Sequence, residues 1–281
     1  MNNIVCISRA ERYSPNSVER DQTIFDCVIK ELRSKGLNVD TICEDDFRGV
    51  NDQTILILSM ARSERVIHLL RKAEKAKINV INPTVGLRNS RRDNLFLLLR
   101  KAKLPYPSSL LLQKGEGIAP GSLSFPLWAK RSDGCAQKEN DVCHIEKAEE
   151  LTTILENFWE RGIQSVVLNE HLTGDLIKFY GVEGTDFFYH TYATGPCVYS
   201  KFGLESINGE AHHYKFSITT LHEKITKIAQ LLKLPIYGGD AIISKDGTFK
   251  IIDFNDFPSF SPCCKEAASA IARLTQKYIF Y

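Results

Sequence analysis

Residues 238–258 read GGDAIISKDGTFKIIDFNDFP, two apolar runs joined by the turn residues KDG. Runs separated by a glycine-containing turn form an antiparallel hairpin, which puts Asp240 on the first strand and Asp253 and Asn255 on the second. Side chains two apart on a strand share a face, so Asp253 and Asn255 point the same way, among the apolar residues Ile251, Ile252 and Phe254. Carboxylates on an otherwise buried strand are costly unless something pairs with them. Three hard oxygen donors converging on one point suit magnesium, or manganese in its place. Such an ion keeps several waters and takes its remaining ligands from phosphate oxygens. Asp240, Asp253 and Asn255 are therefore the expected metal ligands, with a nucleoside triphosphate beside them. The alternative is that Asp253 and Asn255 only cap turns.

Working back toward the N-terminus, the hairpin follows a helical pattern over 217–232 and precedes a terminal helix over 262–278. Between 110 and 192 short apolar strands follow one another (FPLWAKR, SVVLNEH, LIKFYGV, DFFYHTY), with one helical pattern over 147–161; this order indicates antiparallel sheets. The first part differs. NIVCIS, LNVDTIC, TILILS and INVIN are strand-like runs, with helical patterns over 18–32 and 62–77, and such alternation implies a parallel sheet. A leucine- and arginine-rich helix over 90–103 then runs into the breaker LPYP. The expected division is 1–84 as an N-terminal α/β unit, 85–109 as connecting helix and linker, 110–172 as a central subdomain and 173–281 as a C-terminal subdomain.

Composition narrows the function classes. The 36 basic and 34 acidic residues leave a net charge of +2, so no global field favours nucleic acid or an anionic membrane. The N-terminal apolar run is too short for a secretory signal, and no apolar stretch has bilayer-spanning length; a cytoplasmic location is expected. The eight cysteines are scattered apart from the adjacent Cys263 and Cys264, which fits reduced, mostly buried thiols better than zinc or redox motifs. Cys135 is set apart by its place in a glycine-containing loop beside Lys130 and Arg131, where it is either a redox-sensitive thiol or a passive small residue.

Four stretches in sequence order resemble the landmarks of the ATP-grasp superfamily: INPTVGLRNSRRDNLFLLLRKAKLPYPSS, FPLWAKRSDGCAQ, VVLNEHLTGDLIKFYGVEG and IIDFNDFPSF. The resemblance covers roughly residues 80–262. It implies a combined α/β and α+β architecture: an N-terminal parallel-sheet domain ahead of the grasp, and ATP held between two mainly antiparallel sheets. It also implies ATP with magnesium as the cofactors. Lys130 ends an apolar strand where a solvated charge is out of place, and corresponds to the phosphate-binding lysine; Ser132 and Gly134 belong to the loop that covers the phosphates. Asn169, Glu170 and Leu172 correspond to the hinge that receives adenine, with Glu170 or Asp175 available to the ribose. Lys178 faces the γ-phosphate and the acceptor, as in ribosomal-protein glutamate ligases and inositol phosphate kinases. Many relatives carry a further lysine in the helix before LPYP; here Arg92 and Arg100 stand nearby, and which of them replaces it is open.

What the resemblance implies about activity divides in two. The first reading is a carboxylate-amine ligase acting through an acylphosphate, with Lys178 and Lys201 in catalytic roles. The second is a kinase that stops after phosphoryl transfer to a hydroxyl, and a nucleotide-binding module without turnover is a third. An anionic small-molecule or peptide acceptor is expected, because Arg9, Arg12, Arg88, Arg91, Lys201, His212, His213 and Lys215 are available on the acceptor side. Removing Asp253 or Asn255 is expected to abolish magnesium-dependent turnover and to spare the fold, because these side chains serve the metal and pack little against the core.

Overall fold

The computed structural model describes residues 2–119, 121–193 and 202–280. The first sheet is built from β1 (Asn3–Ser8), β2 (Val39–Cys43), β3 (Thr54–Ser59) and β4 (Asn79–Ile81), all parallel, in the order β2-β1-β3-β4. Its strands are apolar on both faces because helices cover both. Ile4, Cys6, Leu56 and Leu58 meet α1 (Val18–Ser34), while Ile7 and Ile57 meet Val66 and Leu70 of α2 (Glu64–Lys75). The short α3 (Thr84–Asn89) and α4 (Arg92–Lys101) lead on to the second sheet.

That sheet is antiparallel, order β5-β8-β6-β7, from β5 (Ser109–Gln113), β6 (Leu127–Arg131), β7 (Val142–Ile145) and β8 (Ser165–Glu170). Alternation sends Leu127, Ala129, Val166 and Leu168 into a core with Phe158 of α5 (Ala148–Glu160). The opposite face carries Trp128, Lys130 and Asn169, with Trp128 directly across from Asn169 and Lys130 across from Val167.

The third sheet runs β10-β9-β11-β12, with β9 (Asp175–Val182), β10 (Phe188–Tyr192), β11 (Ile236–Ile243) and β12 (Phe249–Asp256), all neighbours antiparallel. Ile177, Phe179, Ala241 and Ile251 pack against α4 and α6 (Ile218–Leu232). The last helix, α7 (Cys264–Phe280), shares its core with α1 and the first sheet, so a helix grouped by sequence with residues 173–281 packs back on the N-terminal layer. Two buried polar residues fix the connections, one between layers and one within the first. The Asn82 amide accepts from the Ile236 N–H at 2.9 Å and donates to the Ile236 carbonyl at 2.7 Å, clamping the exit of β4 to the start of β11. The Glu44 carboxylate accepts from the N–H groups of Ala10, Arg62 and Ser63 at 2.8 to 3.0 Å, which fixes the loops after β1 and β3. No helix among the described residues is long and apolar enough to cross a membrane, and the seven described cysteines are free thiols.

Candidate active site

The free faces of the two antiparallel sheets and the carboxyl edge of the first enclose a cavity of about 300 Å3. At its centre Asp240 and Asp253 are direct cross-strand partners, and Asn255 lies opposite Gly238. Strict alternation along β12 would put Ile251 on the same face as Asp253. A register shift between Asp240 and Ala241 resolves the conflict: Ile251 pairs with Ala241, Asp253 with Asp240, and Ile252 is left over as a bulge. Ile251 thereby enters the core while Asp253 faces the cavity. The carbonyl of the bulged Ile252 accepts from the Lys130 ammonium at 2.9 Å, so the same irregularity aims the carboxylate and anchors the lysine. On the facing strand Gly239 has no room for a side chain, since an added Cβ would come within 2.2 Å of the Asp253 carbonyl oxygen.

Three cations surround the carboxylates, Arg92 and Lys130 buried and Lys178 half-buried. Arg92 donates to Asp253 at 2.8 Å and to the Gly134 carbonyl at 2.8 Å. Lys178 reaches Glu205 at 3.0 Å and Asp240 at 3.2 Å. Burial depresses the Lys130 ammonium to about 8, against the opposing pull of Asp253. Burial also works against the Lys178 charge, but Asp240 and Glu205 outweigh it and hold this ammonium above its ordinary range. The Asp253 carboxyl titrates low: Arg92 and Lys130 overcome the effect of burial. Asp240 is pushed up by burial and by the Asp253 charge opposite.

Two carboxylates crowded together and an amide on the same strand end are a donor set that a hard divalent cation relieves. Among the described residues no group of three His, Cys, Asp or Glu side chains stands together as a complete cage. The two carboxylates and the amide are at most a partial set of ligands.

Of the residues expected at the site, Lys130, Asn169, Glu170, Leu172, Lys178, Asp240, Asp253 and Asn255 all line this cavity. The Glu170 carboxylate is held by Lys250 and by the Ser108 N–H at 2.9 Å, and these partners keep it below the usual carboxylate range although burial opposes them. Ser132 is buried, hydrogen-bonded to Ser165, and does not line the cavity; Gly134 lines a smaller neighbouring recess instead. Asp175 is a correction. Its carboxylate is buried and accepts from the N–H groups of His212 at 2.6 Å and Tyr214 at 2.7 Å, outside the cavity. It ties down the chain at 212–214 and is not available to a ribose. Asp175→Ala is expected to cost about 1–3 kcal/mol by stranding these donors, measured by urea unfolding, while nucleotide affinity changes less than twofold. Lys201 lies outside the described residues.

Of the two arginines, Arg92 lines the cavity, while Arg100 is exposed and lies over the Phe96 ring, 4.8 Å from its centroid. The structure changes the expectation for removing Asp253: its partner Arg92 is itself buried and would lose its counter-charge, so a cost in stability is expected as well. Of the acceptor-side cations, Arg9 lines the cavity, Arg12 pairs with Asp45 at the surface, and His212 and His213 are exposed away from it.

Sequence reasoning passes over Trp128, Arg62 and Asp256. Trp128 is within its reach, since it sits two residues before Lys130 on the same strand face; its indole N–H donates to His171 Nδ1 at 3.1 Å. Arg62 and Asp256 meet only in space, at 2.8 Å, and Arg9 adds Asp21 at 2.8 Å and Asp256 at 3.7 Å. This four-residue network is charge-balanced and walls the N-terminal side of the cavity.

A parallel-sheet unit followed by two antiparallel sheets that face each other across a lysine- and carboxylate-lined cleft is the ATP-grasp fold. Solved structures share it along almost the whole chain. VanG D-Ala:D-Ser ligase from Enterococcus faecalis matches with a TM-score of 0.70 at 12% identity, over 99% of this chain and 100% of that one. A RimK domain ATP-grasp protein from Sphaerobacter thermophilus gives 0.69 at 16% identity, over 97% and 99%. D-alanine–D-alanine ligase from Bacillus anthracis, complexed with ATP, gives 0.69 at 14%, over 99% and 98%. No protein-family model matches the chain, and no curated protein matches it.

Proposed function

We propose that the protein is a Mg-ATP-dependent carboxylate-amine ligase. The observation that carries the reading is the convergence of Lys130, Lys178, Asp240, Asp253 and Asn255, from two sheets, on one cavity. The similar solved structures are named as ligases, which supports ligase over kinase. Asp240, Asp253 and Asn255 would hold magnesium, which would neutralise phosphate charge and orient the transferring group. Lys130 and Arg92 bind the phosphate tail as point charge and planar fork. Lys178, pinned between Asp240 and Glu205, stays protonated and stabilises negative charge on the oxygens of the transferring phosphoryl. An acceptor carboxylate takes that phosphoryl to give an acylphosphate, and an amine displaces inorganic phosphate to form the amide. Trp128 and the hinge residues Asn169, Glu170 and Leu172 border the space for the base. The acceptor occupies the end walled by Arg9, Arg62 and Asp256.

The test is a product assay with Mg-ATP and pooled amino acids, and separately with inositol phosphates. The ligase predicts ADP, inorganic phosphate and a new amide in equal amounts. A phosphorylated acceptor without released phosphate would make the protein a kinase instead.

A further inference from the structure

Beside the main cavity, and sharing Tyr13, Arg62, Cys135, Asn255 and Asp256 with it, lies a second recess of about 110 Å3. It is formed by α2, α3, the loop after β6 and the end of β12, and neither Lys130 nor Lys178 lines it. Four arginines do: Arg62, Arg71, Arg88 and Arg91. Two are engaged, Arg62 with Asp256 at 2.8 Å and Arg91 with Asp93 at 3.1 Å. Arg71 and Arg88 are exposed at the rim, and neither makes an ion pair among the described residues.

The acidic residues of the recess do not cancel this charge. Asp133 is held by Arg131 at 2.7 Å and Asp256 by Arg62. Glu64 stands in the first turn of α2, where the positive end of the helix already offsets it. Two forked donors therefore face a concave, net positive space that opens onto Asn255 and the acceptor wall. Guanidinium groups in such a setting recognise planar or tetrahedral oxyanions by paired hydrogen bonds.

We propose that the recess is an oxyanion subsite, which receives a carboxylate or phosphate at the far end of the acceptor while the acceptor's reacting group lies in the main cavity. This rests on the ligase reading for the identity of its ligand as acceptor, though not for the binding itself. The acceptor is then at least a dianion, with one group activated and a second held by Arg71 and Arg88.

The experiment titrates the full chain, without nucleotide, with two probes: inorganic phosphate and tricarballylate. Parent, Arg71→Gln/Arg88→Gln and Lys130→Met proteins are compared by calorimetry at low salt. The expected result is that at least one probe binds the parent, binds the double variant at least tenfold more weakly, and binds Lys130→Met as it binds the parent. Phosphate alone or tricarballylate alone assigns the subsite to that class of oxyanion. A probe lost only in Lys130→Met occupies the nucleotide cradle and overturns the proposal, as does equal binding to the parent and double variant, or no binding of either probe to the parent. A non-hydrolysable ATP analogue is titrated in parallel. Failure of the analogue to bind the parent counts against the ligase reading, and equal analogue binding by parent and double variant separates the recess from the nucleotide site.

Discussion

Asp253→Asn is expected to lower Mg-ATP-dependent turnover by about 10³-fold while the protein stays folded, and Asp253→Ala is expected to damage both. The two variants separate the roles of one side chain. In the folded protein the Asp253 carboxylate faces Asp240 across the strands and accepts from Arg92 at 2.8 Å. Asparagine takes away the counter-charge of Arg92 and the negative charge that a magnesium ion would need, but keeps an oxygen that accepts from the guanidinium. Alanine removes that oxygen as well, leaving a guanidinium whose side chain is 5% exposed with neither counter-charge nor acceptor at this position. Breaking one side of such a buried pair costs about 3–5 kcal/mol. Phosphate release in the steady state gives the first effect and urea unfolding the second. Turnover of Asp253→Asn within tenfold of the parent would remove Asp253 from the metal site; an Asp253→Ala protein as stable as the parent would mean that the Arg92 ion pair contributes nothing.

The layers of this fold are legible because their signals are local. Alternating strands and helices over the first 84 residues read as a parallel sheet, and the KDG turn reads as a hairpin, each from periodicity and turn chemistry within a short window. The apolar strand ending at Lys130 marks its lysine for the same reason. What escapes is set by tertiary geometry. The bulge at Ile252 has no glycine or other marker in KIIDFN, so alternation alone leaves Ile251 and Asp253 on one face when the core needs them apart. Arg9, Asp21, Arg62 and Asp256 are far apart in sequence, and nothing in their neighbours announces that they meet. Asp175 misleads because an acidic residue at the start of a strand looks the same whether it serves a ligand or two backbone N–H groups of a later loop.

Lys130→Met is expected to weaken binding of a non-hydrolysable ATP analogue by about 10- to 100-fold, the loss of one charged hydrogen bond of about 1.5–3 kcal/mol, and at the same time to stabilise the free protein. The second effect follows from burial. The ammonium is lowered from 10.5 to about 8 in the folded chain, so below pH 8 the fold carries a charged group that it disfavours relative to the unfolded state. The unfolded chain binds more protons between pH 8 and 10.5, and the parent gains stability as pH rises through that window. Methionine removes the charge and keeps most of the volume, so its advantage, of order 1–3 kcal/mol, is full near pH 7 and fades by pH 10. Binding runs the other way. Phosphate oxygens favour the charged lysine, so parental affinity for the analogue is at its full value below pH 8 and declines above it. Lys130→Arg stays charged and flattens that decline. Urea unfolding at pH 7 and 10, with analogue titrations across the same range, reads both trends. Equal affinity in the parent and Lys130→Met would remove Lys130 from the nucleotide site. Lower stability of Lys130→Met at pH 7 would show that its bond to the bulged Ile252 carbonyl outweighs the burial of its charge.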